Sequence, residues 1–266
     1  MTDKLLTVDD LSAGYGNQPL LHNISFSLEP GETLSIIAPN GAGKSTLLKC
    51  ITGLLPLMAG GIQLKGKPMT AWSRRELARM IAMVRTEETE NPFPAEQVVL
   101  MGRYAHIPRF SPPSSDDWAI VRTAMEQTGI WHKRQAVMAE LSQGEKQKVL
   151  IARAIAQCPD ILLLDEPTSH LDVANQYIIL SMIKKLAQER RTAILAVIHD
   201  INLALQFSTR LMIIHNGQIA AIGSGDEILA SNVLESVYGI PFQILRHNRV
   251  AYVHAYSEMN YGGIGS

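Results

Sequence analysis

A chain of 266 residues with 46% hydrophobic and 18% charged side chains carries enough apolar material for a sizeable core, which excludes a disordered polymer. A formal net charge of −1 supplies no basic field for nucleic acid or anionic lipid. Two cysteines, Cys50 and Cys158, exclude a disulfide framework and read as buried or inert thiols of a reducing compartment.

The N-terminus, Met1-Thr-Asp-Lys-Leu-Leu-Thr-Val-Asp-Asp10, places acids where a signal peptide needs bases. No run approaches the ~20 apolar residues of a membrane span, so the chain reads as soluble and cytoplasmic. Residues 5–8, 24–28 and 61–64 predict short antiparallel strands with Gly and Pro turns between them. Residues 34–38 form a continuous apolar run of strand length, followed by a Gly-rich loop and a helix over 44–52 that Gly53 is placed to stop. The segment 86–140 then breaks the rhythm. It opens on Asn91-Pro-Phe-Pro94, turns at the Pro- and Ser-rich stretch 108–115, and is otherwise helical, with a helix over 114–128. A helix over 143–157 precedes the apolar run 161–164. Asp172 is placed to cap a helix over 173–188, and the runs 193–198 and 211–214 bracket a helix over 200–207. Continuous apolar runs fit strands covered on both faces, and their alternation with helices predicts an α/β fold with a largely parallel sheet. The tail after Tyr238 is weakly patterned, and residues 262–266 read as a mobile end.

Chemistry begins at Ala38-Pro-Asn-Gly-Ala-Gly-Lys-Ser-Thr46, which follows a strand and opens a helix as a phosphate-binding loop must. After Pro39, the backbone along Asn40, Gly41, Ala42, Gly43, Lys44, Ser45 and Thr46 can surround a polyphosphate, where the helix dipole favours negative charge. Lys44 adds a point charge at the β- and γ-phosphates, and the Ser45 hydroxyl completes a Mg²⁺ shell. The strict pattern asks for Gly where Ala38 stands. A positive φ there would cost Ala about 1 kcal/mol, whereas a negative φ leaves its methyl harmless.

Ile161-Leu-Leu-Leu-Asp-Glu-Pro167 ends a buried strand in two acids. Alone, such acids are often helix caps. Beside the loop, Asp165 reads as the Mg²⁺ holder and Glu166 as the group that orients or deprotonates the attacking water.

With Leu141-Ser-Gln-Gly-Glu145 at a helix start, the sequence resembles the ATP-binding cassette family, whose signature is Leu-Ser-Gly-Gly-Gln. The resemblance covers nearly the whole chain, in the family's order. It implies a P-loop NTPase (RecA-like) core with an antiparallel β subdomain and a helical insertion carrying the signature. The cassette domain would span 3–238, its helical subdomain about 86–157, and a C-terminal extension 239–266. It further implies that Tyr15 stacks on adenine and that Ser169-His-Leu-Asp172 is the D-loop, with Asp172 at the nucleotide. His199 would contact the γ-phosphate, and Ser142 and Gly144 would reach across a dimer to the nucleotide of a second copy. Catalysis would rest on Glu166, His199 and Lys44, the metal on Ser45, Asp165 and Thr86.

The chain departs from the family at Ala38, at Gln143 and Glu145 within the signature, and at Thr86, where a glutamine that touches Mg²⁺ and the water is usual. Thr86 implies slower hydrolysis or altered coupling, with Glu87 or Glu88 as substitute oxygen donors. Pro94-Ala-Glu-Gln-Val-Val-Leu-Met-Gly-Arg103, Thr168-Ser-His-Leu-Asp-Val-Ala-Asn-Gln176 and Val237-Tyr-Gly-Ile-Pro241 resemble segments of iron–siderophore, haem and cobalamin importer ATPases. The resemblance implies membrane permease subunits, an indirect link to a substrate-binding protein, and a place on the cytoplasmic face of the membrane. It also places a groove for a short permease helix on the insertion, with Phe93 and Val98 as its apolar lining. Molybdate or tungstate import, a soluble cassette outside transport, and a regulatory ATP-binding protein with weak turnover stay open as alternatives.

Overall fold

The computed structural model describes residues 4–85, 92–247 and 250–256. In chain order the first half contains β1 (Leu6–Tyr15), β2 (Gln18–Leu28), β3 (Thr33–Ile37), α1 (Lys44–Ile51), β4 (Ala59–Leu64), β5 (Lys67–Pro68), α2 (Arg74–Met80), β6 (Ile81–Arg85), α3 (Ala95–Leu100) and α4 (Ser115–Gln127). The second half contains α5 (Gln143–Ala156), β7 (Ile161–Asp165), α6 (Val173–Arg190), β8 (Ala193–Val197), α7 (Ile201–Phe207), β9 (Arg210–His215), β10 (Gln218–Gly223), α8 (Gly225–Ala230), α9 (Val233–Tyr238), β11 (Phe242–His247) and β12 (Val250–Ala255).

The central sheet has the order β10-β9-β3-β8-β7-β6. Its strands run parallel except β10, which returns antiparallel beside β9. Side chains alternate across a strand, and here the alternation separates two cores. Leu162, Leu164, Ile194, Ala196, Leu211 and Ile213 pack with α3–α7. Ile161, Leu163, Ala193, Leu195, Val197, Met212 and Ile214 pack with α1 and the antiparallel sheet β2-β1-β4-β5. That division explains the unbroken apolar runs in the sequence. Each such leucine or isoleucine, almost wholly out of solvent, contributes roughly 1.5–3 kcal/mol.

The antiparallel strands are longer than the apolar signal implies. β1 runs on to Tyr15 through three register shifts, with Asp10 at a positive φ of 46°. These irregularities break the period of two that sequence reading depends on.

Among the described residues, α3, α4 and α5 lie between β6 and β7. The turn after α3 is fixed to α4 and α5 by Arg103. Its guanidinium donates to Asp117 Oδ1 at 3.0 Å and to the Ala156 carbonyl at 2.8 Å. Gly102 brings the backbone of this turn against the Arg153 carbonyl of α5, where any side chain would collide. Val98 is 1% exposed and belongs to the core, because it sits on the α3 face turned toward α5. It therefore does not line a surface groove, contrary to expectation, whereas Phe93 is 46% exposed.

The tail holds more order than its pattern suggests. Gly239, in the left-handed conformation at φ 68°, ends α9, and β11 and β12 form a hairpin. Asn202 of α7 ties that hairpin down, donating to the Val253 carbonyl (3.1 Å) and accepting from its N–H (2.7 Å). β11 lies mostly in solvent on both faces, so it carries no alternation to read. Residues 262–266 lie outside the described residues. Cys50 is buried as expected, but Cys158 is exposed, since it follows the end of α5 at a positive φ of 52°.

Candidate functional site

Three parallel strands deliver the site. β3 leads into the loop before α1, β7 ends at Asp165, and β8 leads to His199, so all three carboxyl ends open on one edge of the sheet.

The loop needs glycine for two reasons. Gly41 and Gly43 sit at φ of 80° and 97°, and a side chain on Gly43 would strike Leu21. Ala38 is not among the residues of positive φ and is buried with the core under β1 and β2, so its methyl is harmless. Lys44 is 6% exposed and donates to the Ala38 and Pro39 carbonyls, each at 3.0 Å. Burial lowers its pKa, while the charges of Glu166 and Asp165 act in the opposite direction. Asn40 and Gly41 form the exposed rim of the loop. Thr46 is buried in the first turn of α1.

Ser45 Oγ donates to Asp165 Oδ1 at 3.2 Å, which joins the hydroxyl and the carboxylate expected to share a cation. Both are hard oxygen donors suited to Mg²⁺. Among the described residues, no three His, Cys, Asp or Glu side chains cluster as a cage. The pair therefore fits an ion that takes its remaining ligands from phosphate and water. Thr86, the third expected ligand, lies outside the described residues, as do Glu87 and Glu88.

Glu166 adopts φ 54°, a conformation that costs a side-chain-bearing residue roughly 1 kcal/mol. The turn it makes brings Ser169 back, so that Ser169 Oγ donates to Glu166 Oε2 at 3.1 Å. On the other oxygen, His199 Nε2 lies 2.6 Å from Oε1. Burial raises the Glu166 pKa, but hydrogen bonding and charge from His199, then Ser169 and Lys44, outweigh it and hold the carboxyl below its usual range. His199 thus contacts the acid in this conformation. The sequence marks Ser169 only as part of a motif, and its partner depends on the left-handed turn at Glu166, which leaves no sequence signal.

The remaining candidates stand at the ends of elements. Tyr15 closes β1 with its ring 54% exposed. Its hydroxyl accepts from Lys49 Nζ at 3.1 Å. Hydrogen bonding by Thr46 and then by Lys49 lowers the phenol pKa. Ser142 caps α5 in a reciprocal box with Glu145, whose carboxylate is further paired with Lys133 at 3.5 Å. The added charge of Glu145 is therefore engaged within its own chain. Asp172 caps α6, accepting from the Asn175 N–H at 2.8 Å. Gly144 is buried against the Asn175 side chain. The structure thus brings Lys44, Ser45, Asp165, Glu166 and His199 together. Ser142, Gly144 and Asp172 form a second group on the first turns of α5 and α6.

A family model described as ABC transporter matches residues 21–169. The uncharacterized ABC transporter ATP-binding protein YvrA of Bacillus subtilis is 38% identical over 244 residues, which cover 91% of this chain but only 55% of that relative. The iron(3+)-hydroxamate import ATP-binding protein FhuC of the same organism is 33% identical over 92% of this chain and 91% of its own. Among solved structures, an inward-facing transporter described as metal-chelate type aligns with a TM-score of 0.82 at 29% identity, over 95% of this chain and 97% of that one.

Proposed function

The chain belongs to the ABC transporter family of ATP-binding subunits, and from that membership we propose that it hydrolyses Mg-ATP to power import of a metal chelate. The observation that carries the reading is Glu166, an ionised carboxylate with one oxygen on His199 and the other on Ser169, beside the Lys44 loop and the Ser45–Asp165 pair.

In this reading the loop from Pro39 to Thr46 holds the phosphates and Tyr15 supports adenine through its exposed ring. Lys44 leaves the Ala38 and Pro39 carbonyls for the β- and γ-phosphates. Mg²⁺ on Ser45 and Asp165 would offset charge on the phosphate oxygens. Glu166 accepts a hydrogen bond from the attacking water, and His199 keeps the carboxylate ionised and aimed. Thr86 stands where the family has glutamine, which gives slower hydrolysis or altered coupling.

Two copies would enclose two nucleotides, with Ser142, Gly144 and Asp172 of each facing the nucleotide of the other. A permease docks near Phe93 and holds the pair on the cytoplasmic face of the membrane, with a substrate-binding protein beyond it. Among the described residues, no helix is long and apolar enough to cross a membrane itself. Likeness to an iron-hydroxamate import protein and to a metal-chelate-type transporter supports a chelate as cargo over molybdate or tungstate.

Phosphate release by the purified chain tests the chemistry. Glu166→Gln should retain ATP binding and lose about 10²- to 10⁴-fold in turnover. Equal rates in the two proteins would leave a regulatory ATP-binding role. Reconstitution with a permease then decides the cargo: stimulation by ferric hydroxamate, haem or cobalamin with a binding protein supports the reading, and stimulation by molybdate alone contradicts it.

A further inference from the structure

Gly144 has no backbone reason to be glycine, since its φ is not in the left-handed region. A methyl built there would lie 3.0 Å from Asn175 Cγ and 3.1 Å from both Nδ2 and Oδ1. All three distances are nearly equal, so the flat amide of Asn175 lies across the Gly144 Cα. That amide is tethered at one end. Its Nδ2 donates to Asp172 Oδ2 at 2.9 Å, while the Asn175 N–H donates to Asp172 Oδ1 at 2.8 Å. Asp172 is fixed in turn as the cap of α6 and accepts from the Gln176 N–H through its carbonyl at 2.9 Å.

We propose that Asn175 is a positioning residue whose clamped amide sets the seat of the α5 N-terminus, and that Gly144 is glycine because this amide covers it. The contact continues toward the acid. Gln176 Nε2 donates to the Thr168 carbonyl at 3.3 Å, and the Ser169 N–H donates to the Glu166 carbonyl at 3.2 Å. The first turn of α5 is thereby linked, through Asn175 and then Gln176, to the segment that carries Glu166. Gly144 itself is buried, so a group added at its Cα must displace the half-buried amide that rests on it. The catalytic purpose of the contact rests on the ATPase reading above; the contact itself does not.

The test is a double-mutant cycle on the full chain with Gly144→Ala, Asn175→Ala and both together. Gly144→Ala should lower kcat about tenfold or more, because the methyl displaces a group whose placement must hold to a fraction of an ångström. Asn175→Ala should lower kcat by a smaller factor and leave the affinity for ATP in the isolated chain unchanged. The double variant should return to within about twofold of Asn175→Ala alone, since the methyl then occupies the space the amide has left. A double variant as slow as Gly144→Ala, or slower, overturns the proposal. Thermal melting of the same four proteins reads the contact without turnover. Gly144→Ala should lower the melting temperature in the native background and not in the Asn175→Ala background. Absence of coupling in melting overturns the contact, and coupling in melting without coupling in kcat overturns the positioning role. A wild type no faster than Glu166→Gln overturns the ATPase reading, and the catalytic purpose with it.

Discussion

Glu166 has both carboxylate oxygens engaged, yet its neighbours differ in how plainly the sequence marks them. Lys44, Ser45 and Asp165 are legible because a loop of Gly-x-Gly-Lys-Ser-Thr and an acid pair after an apolar run are local patterns. Ser169 is not legible, because only the turn at φ 54° folds it back onto the acid. Asn175 is hidden for a related reason: the residue it covers, Gly144, lies on another helix. The two cysteines separate at the same scale. Burial pushes the Cys50 thiol up to about 11, whereas Cys158 is exposed. At neutral pH a soluble alkylating agent should therefore modify one thiol, at Cys158, in the native chain and both after unfolding. Peptide mapping of the labelled protein checks this, and native labelling at Cys50 would contradict the burial.

Among elements, the insertion between β6 and β7 joins its apolar packing with one buried ion pair. Arg103 joins the turn after α3 to the first turn of α4 and the last turn of α5. Asp117 meets it with Oδ1 while Oδ2 accepts from the Ser114 hydroxyl at 2.7 Å and the Ser114 N–H at 3.0 Å. Hydrogen bonding by the Ser114 side chain, against the effect of burial and with help from the Ser114 N–H and Arg103, holds the Asp117 carboxyl below its usual range. Arg103→Ala should cost about 3–5 kcal/mol, because it leaves a buried carboxylate short of a partner. Asp117 is depressed in the folded state. Its contribution is fully present above the ordinary Asp pKa of about 3.9 and is lost as pH falls through the lower folded value. The difference between wild type and Arg103→Ala in denaturant melts should therefore narrow on acidification below that range. A difference constant with pH would exclude the carboxylate as the source. The helices of this insertion announce themselves through caps such as Ser114 and Ser142. The hairpin β11–β12 does not, because its anchor is a side chain of α7.

At the scale of the whole molecule, the α/β class is legible because β7 and β8 carry unbroken apolar runs, and a strand buried on both sides has no polar face. The division of their alternate residues between two cores appears only once the strands are placed. The split between the Lys44–Glu166 cluster and the group on the first turns of α5 and α6 has its counterpart in assembly. If the second group serves another copy, Glu166→Gln with Mg-ATP should double in mass on size-exclusion chromatography. The same protein without nucleotide should not, and a monomer under both conditions would count against the paired arrangement.

The strand that carries the phosphate loop lies between β8 and β9, so its hydrogen-bonding neighbours come from the last third of the chain. The Thr33 N–H is satisfied by the Thr209 hydroxyl, 176 residues later. During synthesis both edges of β3 therefore leave the ribosome long before anything can pair with them. Contacts this distant in sequence form slowly, and unpaired strand edges are prone to aggregate. The nucleotide loop is translated before the two strands that flank β3 and acquires its final support only after them. A nascent chain halted before β9 is complete would carry the whole loop sequence without the sheet that shapes it.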